Sequence, residues 1–201
     1  MKARQLNEEL ISKGSGLPRS KGLHVSDIIR DIGIKLGVLK KKDGKPMDPN
    51  DRSIPAGLAE MGFMWEDMLS HVFGDRMAAR LPEVELDGIS GSPDGMDMYK
   101  GEVVNAEYKC TWKSANRKIE DQWMWLTQCM AYCKMLGLTK TIIRVLHVNG
   151  DYSWMRGDSD STPATYAVHY IEFTQRELDE NWTMIVNHAK SMGWLKQGRN
   201  K

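Results

Sequence analysis

Several things are scarce in this chain of 201 residues, and each shortage removes a class of protein. No apolar run approaches the ~20 residues that a helical membrane span needs. The opening residues, Met1-Lys2-Ala3-Arg4-Gln5, carry no apolar segment of the signal-peptide kind. Cysteine is sparse: Cys110, Cys129 and Cys133 include no C-x-x-C pair, and an odd number argues against a disulfide framework. Cys129 and Cys133 stand one helical turn apart and read as buried thiols, which behave as small hydrophobes. A reducing, intracellular compartment is expected. The histidines His24, His71, His147, His169 and His188 have no metal-ligand spacing, so no zinc site is expected. Net charge is almost absent at +1, so a polyanion must be met by local basic clusters rather than by a global field. There is no internal repeat and no low-complexity tract.

What remains is one ordinary globular domain over residues 1–201, with a polar Gly-, Ser- and Lys-rich arm over 1–21. Ser26 reads as the N-cap of a short helix over Asp27–Ile34. An exposed loop follows from Lys40 to Asp51, then a helix from Ala56 to Phe73 stopped by Gly74. Val84 to Thr111 reads as hairpin material. Asp121 to Leu136 reads as a helix apolar nearly all round, which therefore packs on more than one neighbour. Thr141–Val148 and Thr165–Phe173 are strands, and a last helix over Gln175–Met192 has Thr174 as its N-cap. This order predicts an α/β fold with a mixed central sheet flanked by helices.

Two short stretches carry chemistry. In Val103-Val104-Asn105-Ala106-Glu107-Tyr108-Lys109-Cys110, strand alternation sends Glu107 and Lys109 to one face and Tyr108 to the other. Upstream, Ser92-Pro93-Asp94-Gly95 reads as a turn that sets Asp94 at the end of a neighbouring strand. A Glu-x-Lys alone is ordinarily a solvated strand face; with Ser-Pro-Asp-Gly at hairpin distance it points to a site. Asp94, Glu107 and the Tyr108 carbonyl suit the incomplete protein shell that magnesium takes beside waters and phosphates. Such an ion lowers the pKa of water and neutralises phosphoryl charge, so metal-dependent phosphodiester cleavage is expected. Lys109 would orient the attacking water or stabilise the transition state. Gly62 and Glu66 lie one helical turn apart; Gly62 would allow a close backbone approach, and Glu66 would reach a metal through water, though taken alone it reads as a solvated helix residue. Gln128 and Tyr132 form an i, i+4 pair in the apolar helix. A buried amide there needs a partner, either a phosphate, a site water or a backbone group of the sheet. Lys109, Lys113, Arg117 and Lys118 cluster with Trp112 among them, which reads as polyanion contact and base stacking or, more plainly, as a soluble surface.

Together these motifs resemble the PD-(D/E)xK nuclease superfamily. Within it the chain is most similar to the lambda-type phage exonucleases, the YqaJ-like viral recombinase nucleases related to the RecB nuclease domain. The likeness covers most of the chain: Gly62-x-x-x-Glu66 is similar to the helical acidic motif, and Ser92-Pro93-Asp94-Gly95 with Glu107-Tyr108-Lys109 to the catalytic core. Gln128-x-x-x-Tyr132 is similar to the C-terminal helical motif. The resemblance implies a restriction-endonuclease-like core and magnesium- or manganese-dependent digestion of linear duplex DNA from 5′ ends. It also implies a terminal-phosphate pocket to which Arg19, Ser26, Ser92 and Gln128 correspond. By resemblance alone it implies a ring-shaped homotrimer, a single-strand annealing partner, and work in phage recombination or DNA processing in the cytoplasm of a bacterial host. Relatives with an iron–sulfur cluster need four cysteines, so no cluster is expected here. Two competing readings are a structure-selective or nicking endonuclease of the same fold and a non-catalytic DNA-binding accessory protein.

Overall fold

The strand that carries Glu-Tyr-Lys is the spine of the molecule. The structure, a computed structural model, describes residues 22–39, 56–73, 81–157 and 164–195. The expected arm over 1–21, with Arg19, the loop over 40–51 and Gly74 lie outside the described residues. The elements in chain order are α1 (Val25–Lys35), α2 (Ala56–Phe73), β1 (Val84–Leu86), β2 (Ile89–Gly91), β3 (Gly95–Tyr99) and β4 (Glu102–Thr111), then α3 (Trp123–Leu136), β5 (Lys140–His147), β6 (Thr165–Glu172) and α4 (Gln175–Ser191). A four-stranded sheet has the order β3-β4-β5-β6. Its β3/β4 and β5/β6 pairs are antiparallel and its β4/β5 pair is parallel. The parallel step needs a crossover, which α3 supplies. This is the mixed sheet flanked by helices that the sequence predicts.

Being central, β4 is covered on both faces, and Val104 through Tyr108 are buried without a break. On one face Ala106 and Tyr108 pack under Trp65 and Leu69 of α2. On the other, Ile143 and Val145 of β5 pack under Cys129, Trp125 and Leu126 of α3. Helix α3 also supplies Ala131 and Tyr132 to a second core with Ile28 and Ile29 of α1 and Trp182 and Ile185 of α4. Packed on sheet and helices alike, α3 is apolar nearly all round. Cys129 and Cys133 are buried free thiols and Cys110 is a half-buried one. Among the described residues no helix is long and apolar enough to cross a membrane.

Four local readings need correction. The Pro-Asp-Gly stretch is no turn: residues 92–94 form an irregular connection between β2 and β3, and the β3–β4 hairpin turns instead at Lys100 (φ 51°) and Gly101 (φ 83°). Helix α1 is capped by His24, not Ser26. Ser90 N–H donates to the Leu23 carbonyl at 2.8 Å and His24 bridges Ser90, so the extended entry ends there and the helix starts at once. The helix expected from Asp121 begins at Trp123, because Gln122 (φ −91°, ψ 60°) breaks it from a 3₁₀ turn over Ile119–Asp121. At Gly62, no described atom beyond its own helix lies within 4 Å of where a Cβ would stand, so no close approach explains the glycine. The last helix follows the sequence: Thr174 and Glu177 form a reciprocal capping box, worth about 1 kcal/mol.

The sheet also hides an ion pair. Arg144 of β5 reaches across β4 to Asp97 of β3, and both side chains are buried. It ties the edge strand β3 to β5, the strand beyond its neighbour.

Candidate active site

Asp94 meets β4 where the hairpin ladder stops. Pairing of β3 with β4 ends at Gly95 opposite Ala106. Beyond it the Tyr108 N–H, which a longer ladder would have paired, donates to Asp94 Oδ2 at 2.8 Å. The side chain has replaced the strand. Gly91 makes this approach feasible, since a Cβ there would lie 2.7 Å from Met135 Sδ and 3.1 Å from Tyr132 Cε1. With a hydrogen there, β2 lies against the Met135 and Tyr132 side chains of α3 and leads into Ser92-Pro93-Asp94.

Glu107 and Lys109 share the α3 face of β4, as alternation requires, and the Lys109 ammonium pairs with Glu107 Oε1. Tyr108 faces α2 instead. From α3, Gln128 Oε1 accepts a second Lys109 hydrogen bond at 3.3 Å, while Gln128 Nε2 donates to the Tyr132 hydroxyl at 3.0 Å. An ammonium offers donors only, so the amide oxygen must face Lys109 and the amide nitrogen must turn to Tyr132. Both ends of Gln128 are thereby committed within the protein.

The electrostatics follow from dryness. Glu107 is 0% exposed. Burial first, then the Asp94 carboxylate, push its carboxyl up to about 8, with Lys109 opposing. Its second oxygen, Oε2, is buried and has no hydrogen-bond partner among the described residues. Burial alone would push Lys109 down, but the Glu107 and Asp94 carboxylates outweigh it, and the ammonium is held above its ordinary range. A lysine held charged at neutral pH is a hydrogen-bond donor and a point charge, not a proton acceptor. Burial, and then Glu107, also raise the Tyr132 hydroxyl and keep it protonated. Glu66 of α2 is half-buried, and its charge adds to the upward push on Glu107.

A divalent cation fits this arrangement. Two carboxylates crowd each other in a place with little water, and one of them has an idle buried oxygen. A positive ion beside them would take up that oxygen and reverse the upward push on Glu107. Among the described residues no three His, Cys, Asp or Glu side chains gather into a full metal cage. Asp94 and Glu107 alone would leave most of a magnesium ion's positions to waters and substrate oxygens, as that ion accepts.

The remaining predicted residues lie around this centre. Ser26 is the second residue of α1, whose N-terminus the His24–Ser90 bridge sets beside the strand leading to Ser92. Ser92 Oγ donates to Glu83 Oε1 at 3.2 Å, and Glu83 lies 3.9 Å from His24 Nδ1. Sequence reasoning missed Glu83, which stands in Leu81-Pro82-Glu83 with no motif to mark it. Lys113 Nζ is occupied within the protein, donating to Gln122 Oε1 at 2.9 Å and lying 5.1 Å from the centroid of Trp125. Arg117 is exposed. The missed Asp97–Arg144 pair did leave a signal: an arginine inside Ile142-Ile143-Arg144-Val145-Leu146 demands a buried acid.

No protein-family model and no curated protein sequence matches the chain. Among solved structures it is similar to LHK-Exo, an alkaline exonuclease from Laribacter hongkongensis, in its complex with dAMP. That likeness has 12% identity, covers 86% of this chain and 88% of that one, and has a TM-score of 0.50. The fold is shared with LHK-Exo. A phage-related exonuclease from Haemophilus somnus 129PT is similar at 14% identity, over 89% of this chain and 88% of that one, with a TM-score of 0.47.

Proposed function

We propose that this protein is a divalent-metal-dependent deoxyribonuclease, and specifically an exonuclease that digests linear duplex DNA from 5′ ends. The observation that carries the reading is the convergence of Asp94, Glu107 and Lys109 at the end of the β3–β4 ladder, with an unpaired buried oxygen on Glu107. The exonuclease fold of LHK-Exo, and the deoxynucleoside monophosphate in that complex, support DNA as the substrate class.

Asp94 and Glu107 hold magnesium or manganese, with Glu66 reaching it through water. In an antiparallel pair one residue gives both its N–H and its C=O to the same neighbour. The Tyr108 carbonyl therefore lies on the side where its N–H meets Asp94, which suits it as a further ligand. The bound ion supplies a lowered water pKa and neutralises charge on the phosphoryl oxygens. Lys109 spends two N–H groups on Glu107 and Gln128. Its third is offered to the attacking water or to a phosphate oxygen, where a fixed charge in a dry site stabilises the transition state. Gln128, anchored by Tyr132, holds that ammonium in place. Ser26 and Ser92, beside the N-terminus of α1, receive the 5′-phosphate together with Arg19, helped by the positive end of the helix. Arg117 and Lys113 contact the DNA backbone.

The test is digestion of linear, 5′-phosphorylated duplex DNA with magnesium by wild type, Asp94→Ala and Lys109→Ala. Wild type degrades it and both variants lose at least a hundredfold in rate, while covalently closed circular DNA stays intact. Degradation at the wild-type rate by both variants sinks the assignment; cleavage of the closed circle replaces it with an endonuclease.

A further inference from the structure

We infer that Trp112 is a stacking platform for an unpaired nucleobase of the DNA strand held at the Asp94–Glu107–Lys109 site. The inference rests on the DNA reading of that site and adds a specificity-determining residue to it. Trp112 follows directly on β4, three residues past Lys109, and its side chain is 46% exposed. A large aromatic left in water is unfavourable unless something covers it.

Its backbone, by contrast, is tied down on every side. The Thr111 carbonyl accepts from Val148 N–H at 2.9 Å, and Thr111 Oγ1 accepts from Lys113 N–H at 3.2 Å. The Lys113 carbonyl bonds His147 Nδ1 at 2.9 Å, and the Trp112 carbonyl accepts from the Tyr152 hydroxyl. Tyr152 makes that last bond from a left-handed backbone, φ 66°, a conformation unfavourable for an aromatic residue. Backbone strain of this kind persists where the surroundings over-determine it, and it gathers at functional sites. The strained residue holds the main chain of Trp112 and leaves the indole outward.

The neighbours suit a polyanion. Arg117 and Lys118 are exposed on the same loop. An exposed indole on a loop that also carries exposed cations is the combination that binds single-stranded nucleic acid without sequence preference. The length of chain between them bounds which base it meets. Three strand residues span about 10 Å from Lys109, and stacked bases of one strand are 3.4 Å apart. The platform therefore meets a base within about three positions of the scissile phosphate.

The experiment scans 2-aminopurine along the first six positions of a 5′-phosphorylated duplex end. Equilibrium fluorescence and steady-state digestion are followed for wild type, Trp112→Phe, Trp112→Leu and Tyr152→Phe. Wild type and Trp112→Phe quench the probe most strongly within about the first three positions. Trp112→Leu loses that quench and raises KM about tenfold, with kcat within a factor of two. Tyr152→Phe, which frees the loop without removing the indole, broadens the quench over neighbouring positions. An unchanged quench and KM in Trp112→Leu overturn the inference. The fluorescence arm decides even where no hydrolysis occurs. Failure of the nuclease reading shows instead as wild-type protein that leaves the DNA uncut.

Discussion

Substituting Glu107 by glutamine tests the physical core of the site without any turnover. In the cation-free protein the folded chain holds the Glu107 proton up to about pH 8, whereas an unfolded chain releases it near 4.5. Between those values the folded state binds more protons than the unfolded one, so wild-type stability falls as pH rises from about 5 to 8. At ~1.36 kcal/mol per unit the full window sets a ceiling of about 5 kcal/mol. Even 2 kcal/mol of that lowers Tm by about 4–8 °C in a chain of this size. Glu107→Gln has no carboxyl to ionise and removes this part of the slope, leaving the titrations that both proteins share. Magnesium acts in the opposite sense to the proton, since binding requires the carboxylate. It raises wild-type Tm strongly at pH 8 and weakly at pH 5, and it does little for Glu107→Gln at either. Scanning calorimetry of EDTA-treated protein across this range, with and without magnesium, reads all of it. A wild-type Tm that stays level with the variant from pH 5 to 8, or an equal magnesium response in both, refutes the account.

Other outcomes follow from single contacts. Gln128→Leu removes one of two ties on the Lys109 ammonium; kcat falls about tenfold with KM little changed, since a positioning contact made in the transition state acts on kcat. Steady-state kinetics on the linear duplex checks it. Asp97→Ala takes the Asp97 carboxylate away from the buried Arg144 guanidinium and destabilises the fold by about 3 kcal/mol. Urea unfolding should show that loss, and Asp97→Leu with Arg144→Met should recover most of it. Gly91→Ala pushes a methyl into Met135 and Tyr132, costs about 1–3 kcal/mol and slows DNA digestion by shifting residues 92–94.

Where the sequence was easy to read, one local rule governed the outcome. Strand alternation sufficed to put Glu107 and Lys109 together and Tyr108 opposite. Thr174 and Glu177 form a capping box because both partners lie within one turn. The misreadings came where a distant contact outbid a local preference. Pro93-Asp94-Gly95 has turn chemistry, yet the Asp94 carboxylate is drawn to Tyr108 N–H and no turn forms there. Ser26 is the better capping residue, but the bridge from His24 to Ser90 fixes where the helix begins. The Arg144–Asp97 pair depends on the registers of three strands at once, so no window of sequence could match these two residues. The Gln128 amide was legible as a group needing partners; that its two ends belong to Lys109 and Tyr132 required the packing of α3 on β4.

The bond from Tyr108 N–H to Asp94 turns one main-chain amide into a built-in gauge of the site. Its proton and nitrogen resonances sense the carboxylate directly, so any ion that withdraws electron density from Asp94 must move them. Titrating isotopically labelled protein with magnesium, manganese or calcium would rank their occupancy by that single peak, with no DNA in the tube.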